Sequence, residues 1–297
     1  MKTEKELLKL AEENGWDWLS REQVLSEGFI KKYKRKVNWK LISINQILSE
    51  EFINKFKRKV DWWSISGYQK LSEKFIEKNK RRVNWEQISY HQQLSEEFID
   101  KYKRKVDWEW ISRNQILSES FIDSHKRRVN WKEISEHQIL SDELIDKYAK
   151  KVDWEIITSK QKLSEEFIDK HADKVNWEIL SCNQQLSEEF IEKHKRKVDW
   201  AWISVKQKLS EEFITRNAEK LDWVGILQNQ KISADTIKEN ENTIRKWWNK
   251  NRKFYDNESV ANFENYFFKT NQKLDLKKED EAPKKKEAKK ENEGQLH

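Results

Sequence analysis

The sequence predicts an all-α protein, an α-solenoid of about ten two-helix repeats of 23 residues with helical caps at both ends. Three observations carry this expectation. Tryptophan recurs at Trp16, Trp39, Trp62, Trp85, Trp108, Trp131, Trp154, Trp177, Trp200 and Trp223, always 23 residues apart, and a fixed period of that size marks stacked repeats. Only five Gly and one Pro occur in 297 residues, too few for the turns of hairpin-rich β folds. Charged residues make up 38% of the chain, yet 16 Trp and 13 Phe supply apolar surface in large pieces. A disordered polyelectrolyte is thereby excluded.

The elements follow in order. Residues 1–13 read as an N-terminal capping helix. Residues 14–243 hold ten copies of V-[ND]-W-x-x-I-S-x-x-Q-x-L-S-E-E-F-I-x-K-x-K-R-K, loosest in the first and last copies. In the second copy Asn38 is a good N-cap, and Trp39, Ile42, Ser43 and Gln46 share one face of a first helix. Ser49 caps a second helix whose first turn carries Glu50 and Glu51, at the positive end of the helix dipole. Phe52, Ile53 and Phe56 form its apolar face, and Lys55, Lys57, Arg58 and Lys59 gather at its negative end. Helices of about nine residues are too short to stand alone in water, so their stability must come from stacked neighbours. Residues 244–276 keep their aromatics but lose the pattern and read as a helical C-terminal cap. Residues 277–297 are charged and nearly devoid of apolar side chains, the composition of a disordered tail.

Two columns are fixed. Gln23, Gln46, Gln69, Gln92, Gln115, Gln138, Gln161, Gln184, Gln207 and Gln230 could be a row of ligand-binding amides, or a buried ladder bonding one copy to the next. Their place on the face that carries Trp and Ile favours the ladder. The same face makes the Trp column core rather than a stack for bases. The Ser after Ile reads as a small residue that lets helices approach.

Function is expected where the copies differ on an exposed face. The positions two and five after each repeat Trp carry Trp18 and Arg21, Leu41 and Ile44, Ser64 and Gly67, Gln87 and Tyr90, Trp110 and Arg113, Glu133 and Glu136, and further on Trp202 and Val205. Trp63 and Tyr68 flank this set on the third copy. Exposed aromatics and arginines are the anchors of protein interfaces, so Trp18, Arg21, Trp63, Tyr68, Tyr90, Trp110, Arg113 and Trp202 are the candidate protein-binding residues. Packing of this face against the neighbouring turn is the competing explanation. The expected function is a non-catalytic scaffold that binds a protein partner.

The alternative is nucleic-acid binding along a Lys/Arg stripe at the ends of the second helices. It would use Arg35, Arg58, Arg81, Arg82, Arg104, Arg127, Arg128 and Arg196, with Tyr33, Tyr102, His125, Tyr148, His171 and His194 interleaved for stacking. Cations at helix C-termini are also the ordinary complement of the dipole. An enzyme is not expected: the chain lacks GxxxxGK[ST], HExxH and a nucleophile elbow. Its six His are scattered or set apart by whole repeats, so no metal, cofactor or small-molecule substrate is expected. The single Cys182 excludes an intramolecular disulfide. With no signal peptide or bilayer-spanning run, a cytoplasmic protein with no membrane partner is the expectation.

Units such as VDWEWISRNQILSESFIDSHKRR and VNWEILSCNQQLSEEFIEKHKRK resemble the W-x-x-IS-x-x-Q-x-LSE-x-FI repeats of uncharacterised proteins from giant DNA viruses and large bacteriophages. The resemblance spans residues 14–236. It implies a viral origin, hence a virion scaffold or a factor that captures a host protein in the host cytoplasm. It implies no activity, cofactor or catalytic residue.

Overall fold

The computed structural model describes residues 2–255 and 258–267. Among the described residues there is no strand; the protein is a helical repeat solenoid. It comprises two compact units, residues 1–161 and the chain from Lys162 onward. The first unit contains α1 (Glu4–Asn14), then α2 (Trp16–Glu22), α3 (Glu27–Lys32), α4 (Trp39–Asn45), α5 (Glu50–Lys55), α6 (Trp62–Tyr68), α7 (Glu73–Lys78), α8 (Trp85–His91) and α9 (Glu96–Lys101). It continues with α10 (Trp108–Asn114), α11 (Glu119–Ser124), α12 (Trp131–His137), α13 (Asp142–Lys147) and α14 (Trp154–Lys160). The second unit contains α15 (Glu165–Lys170), α16 (Trp177–Asn183), α17 (Glu188–Lys193), α18 (Trp200–Lys206), α19 (Glu211–Arg216), α20 (Trp223–Asn229), α21 (Ala234–Glu239) and α22 (Glu241–Asn251). A 3-10 turn at Arg252–Phe254 follows, and a helix covers 258–267. The C-terminal cap expected over 244–276 is described only in part, and the charged tail lies outside the described residues.

From the second repeat on, each repeat begins with a side-chain cap. The Asn38 side chain accepts from the Lys40 and Leu41 amides at 3.1 and 3.2 Å, and Ser49 accepts from Phe52 N–H at 3.2 Å. Such caps satisfy amides that helices of six or seven residues would otherwise leave open. Ile42, Ile53 and their equivalents are fully buried, and Leu48, Phe52 and Val60 nearly so. The first helices pack closely in sequence, α2 on α4 on α6 on α8 on α10 on α12. Ser43 lies buried in that layer.

Its serine is more than a spacer. Ser43 Oγ donates to the Trp39 carbonyl at 2.7 Å and accepts the Asp61 amide of the next repeat at 3.0 Å. The glutamine ladder works across the same boundary. Gln92 Oε1 accepts Leu71 N–H at 3.0 Å, while its Nε2 donates to the carbonyls of Ser66 and Gln69 at 2.9 and 2.8 Å. Glu50 also binds the following repeat through Ser72 N–H at 2.6 Å, beyond its favourable place in the dipole.

The tryptophan column differs from the expected core. Trp39 is half-buried. Its indole N–H donates to the Lys34 carbonyl at 3.0 Å, its ring stacks on Phe52 at 6.2 Å, and Lys59 lies 5.9 Å over it. The ring thus closes the end of the helix pair, and the isoleucines fill the centre. Trp223 alone in the column is fully buried, because Ile244, Trp248, Phe263 and Phe267 cover the last repeat. At the other end, Glu4 of α1 receives Lys32 Nζ and Tyr33 Oη, both at 2.5 Å. Among the described residues no helix is long and apolar enough to cross a membrane.

Candidate functional site

The variable face of the first helices is partly consumed by the fold. The position five after one Trp meets the position two after the next. A Cβ on Gly67 would stand 2.7 Å from Gln87 Oε1, and one on Gly225 would stand 2.9 Å from Val205 Cγ2. Tyr90 meets Trp110 edge-on at 4.3 Å, and Arg113 Nη1 lies 3.8 Å from the Glu133 carboxylate. Ser64, Glu133 and Gly225 are buried, and Trp18 and Trp110 are half-buried. Packing against the neighbouring turn therefore takes up part of this face: these four interfaces set a small side chain, an aromatic edge or an opposite charge against its neighbour.

What stays open is concentrated on α6, α8 and α10. Trp63, Tyr68 and Tyr90 are 45%, 52% and 41% exposed, unusual for large rings. They form one connected run. Trp63 lies 6.0 Å from Tyr68, Tyr68 stacks on His91 at 6.0 Å, and His91 meets Tyr90 at 4.2 Å. Tyr90 then reaches Trp110, and the Arg113 guanidinium lies 5.8 Å over the Trp110 ring. Burial holds the His91 imidazole below its ordinary pKa, which favours the neutral ring in this stack.

The run ends on α12. Glu133 is only 9% exposed, and its Oε2 has no hydrogen-bond partner among the described residues. His137 Nε2 approaches it at 3.4 Å, beside Arg113. The hydroxyls of Tyr68 and Tyr90 and the indole N–H groups of Trp63 and Trp110 make no hydrogen bond among the described residues. The surface thus offers apolar ring faces with free donors at their edges.

Of the expected protein-binding residues, the structure brings together Trp63, Tyr68, Tyr90, Trp110 and Arg113. It leaves Trp18 and Arg21 apart on α2, where Arg21 Nε is held by Glu22 at 2.8 Å. Trp202 stands on α18 in the second unit, with Lys206 6.0 Å over its ring. His91 and His137 were missed by sequence reasoning. The signal was available: Tyr68, His91 and His137 share the position six after the repeat Trp.

The basic stripe divides. Its third position is occupied internally: Lys105 lies 5.5 Å over the Trp85 ring and donates to the Lys80 carbonyl at 3.4 Å. Arg128 occupies that position and donates to the Lys103 carbonyl at 3.3 Å; Arg82, in the same register, is exposed and its side chain makes no hydrogen bond or ion pair among the described residues. Arg128 is therefore a link between repeats rather than a free phosphate ligand. The interleaved rings are also engaged, against the expectation of base stacking. Tyr33 donates to Glu4, Tyr148 to Asp123, and His125 and His194 contact Asp100 and Asp169 at 3.0 and 2.9 Å. His125 and Tyr148 also lie against Trp108 and Trp131.

Among the described residues no group of three or more His, Cys, Asp or Glu is arranged to hold a metal ion. Compared with protein-family models, curated proteins and solved structures, the chain finds no match.

Proposed function

We propose that this chain is a non-catalytic repeat scaffold that docks a partner protein on the outer face of α6, α8, α10 and α12. The connected run from Trp63 to Arg113 carries this reading. Part-exposed Trp and Tyr with unpaired edges, bordered by Arg, are the side chains that dominate interface energetics when a partner excludes water from them. Glu133 braces the end of the run from beneath, its buried carboxylate 3.8 Å from Arg113 Nη1 and 3.4 Å from His137 Nε2. The partner accordingly presents apolar side chains flanked by hydrogen-bond acceptors for the free phenol and indole donors. With the viral repeat resemblance, the reading extends to a virion assembly protein or a captor of a host protein, acting in the host cytoplasm.

Affinity capture from host lysate, with and without nuclease, tests it when the wild type is set beside Trp63→Ala/Tyr90→Ala and Trp202→Ala. A stoichiometric protein that survives nuclease, is lost with the double variant and is kept by Trp202→Ala is the expected result. Retention of that protein by the double variant would overturn the assignment of the site.

A further inference from the structure

The three positions of each basic triplet have different environments, and the middle one has no internal role. Where the third is Lys it covers the preceding Trp ring, as at Lys36 over Trp16 at 5.4 Å and Lys151 over Trp131 at 5.5 Å. The carbonyl of the first accepts a Trp indole N–H, as Lys80 does from Trp85 at 3.2 Å. The middle position reads Arg35, Arg58, Arg81, Arg104, Arg127 and Lys150 through consecutive repeats of the first unit. All six are exposed, and none makes an ion pair or side-chain hydrogen bond among the described residues.

Neighbouring acids do not neutralise this row, because other cations hold them. Glu77 takes Lys101 at 2.5 Å, Asp100 takes Lys103 at 3.1 Å, and Asp123 takes Lys147 at 2.6 Å. Nor does the fold require a cation there. In the second unit the same register carries Asp173, Arg196 and Glu219, and Ala172 and Ala218 still accept their indole N–H bonds at 2.9 Å. Helix-dipole complementarity therefore does not account for six consecutive cations, whereas a ligand outside the fold does.

We infer that Arg35, Arg58, Arg81, Arg104, Arg127 and Lys150 form a track for the phosphodiester backbone of a single-stranded nucleic acid. The row presents one free charge per repeat, about 8–10 Å apart by ordinary helix packing. Phosphates on one strand of a duplex advance about 3.4 Å along its axis, on a path that winds away from any row. A single strand bends to bring a phosphate to each cation. The third-position lysines cover the faces of Trp16, Trp39, Trp85 and Trp131, so along most of the row contact is with backbone and independent of base sequence. This track is separate from the aromatic run and does not depend on it.

The test is fluorescence anisotropy of the full chain with a labelled oligothymidylate of about 30 nucleotides, over about 50–200 mM salt. Six phosphate contacts give an expected slope of log affinity against log salt of about −4. Arg58→Glu/Arg81→Glu/Arg104→Glu should weaken binding by at least about tenfold and bring the slope to about −2. The corresponding Arg→Gln triple variant should shift both quantities in the same direction, and circular dichroism checks that both variants keep their helicity. Arg196→Glu and Trp63→Ala/Tyr90→Ala should leave binding unchanged. Absence of binding at the lowest salt, a flat salt response, or equal weakening by Arg196→Glu would overturn the inference. So would a duplex of equal length binding as tightly, or polyglutamate of equal charge displacing the strand as effectively as unlabelled oligothymidylate.

Discussion

Val205 occupies the space that a side chain at Gly225 would need: a Cβ there would lie 2.9 Å from Val205 Cγ2 and 3.3 Å from Ser204 Cβ. Gly225 is buried within α20, so the intruding methyl has no route to solvent. Gly225→Ala is expected to destabilise the protein by about 1–2 kcal/mol, overpacking outweighing the gain in helix propensity. Val205→Ala should recover part of that loss in the double variant, a positive coupling measurable by urea denaturation. Gly67→Ala is expected to be tolerated, because the atom it would meet first is the flexible end of Gln87.

The glutamine ladder predicts a second set of losses. Gln92→Ala removes three hydrogen bonds and leaves the Leu71 amide and two carbonyls without them. A cost of about 2–4 kcal/mol is expected, since buried groups deprived of partners lose their desolvation energy. Hydrogen exchange should show the loss first at Leu71 and its neighbours, because stacked repeats open locally. Gln23→Ala, with no earlier repeat to bond, should cost far less.

The fold class was legible because the 23-residue period combines helical spacing with capping residues in every copy. The glutamine ladder was legible too, since a polar side chain on an apolar face needs partners. The pairing of positions five and two was harder to see. Gly67 with Gln87, Arg113 with Glu133 and Val205 with Gly225 lie 20 residues apart, and that offset acquires meaning only once the packing of successive first helices is known. The aromatic run was legible in its members but not in its extent. Trp18 and Trp202 belong to the same columns and lie outside it, while His91 joins it through Tyr68.

Stability should fall at both ends of the pH range. The Lys103 ammonium and His125 beside Asp100, the Lys147 ammonium and the Tyr148 hydroxyl beside Asp123, and the Lys193 ammonium beside Asp169 hold these carboxyls below their ordinary range. Their contribution is present above the unfolded carboxylate pKa of about 4 and disappears as pH falls through the folded values. These groups are exposed, so added salt should flatten the acid limb. At the alkaline end, burial and the hydrogen bond to Asp123 push the Tyr148 hydroxyl up to about 12. Its contribution is complete below the unfolded value of about 10 and disappears as pH rises through the folded one. Tyrosinate absorbance should show late-ionising phenols, one fewer in Tyr148→Phe.

The C-terminal cover predicts an effect confined to the second unit. Trp248 stacks on Phe263 at 4.1 Å and belongs to the cluster that buries Trp223. Trp248→Ala should cost about 3–5 kcal/mol, in the range of large-to-small core replacements. Differential hydrogen exchange should place the loss around α20 and α22, with the amides of α4 to α10 unchanged.

From Gln46 to Gln161, and again at Gln207 and Gln230, the ladder glutamines reach backward, to carbonyls and an amide that precede them in the chain. A polypeptide leaving the ribosome N-terminus first therefore brings each of these glutamines to groups already in place. Assembly can advance copy by copy during synthesis, in one direction, without waiting for the far end to appear.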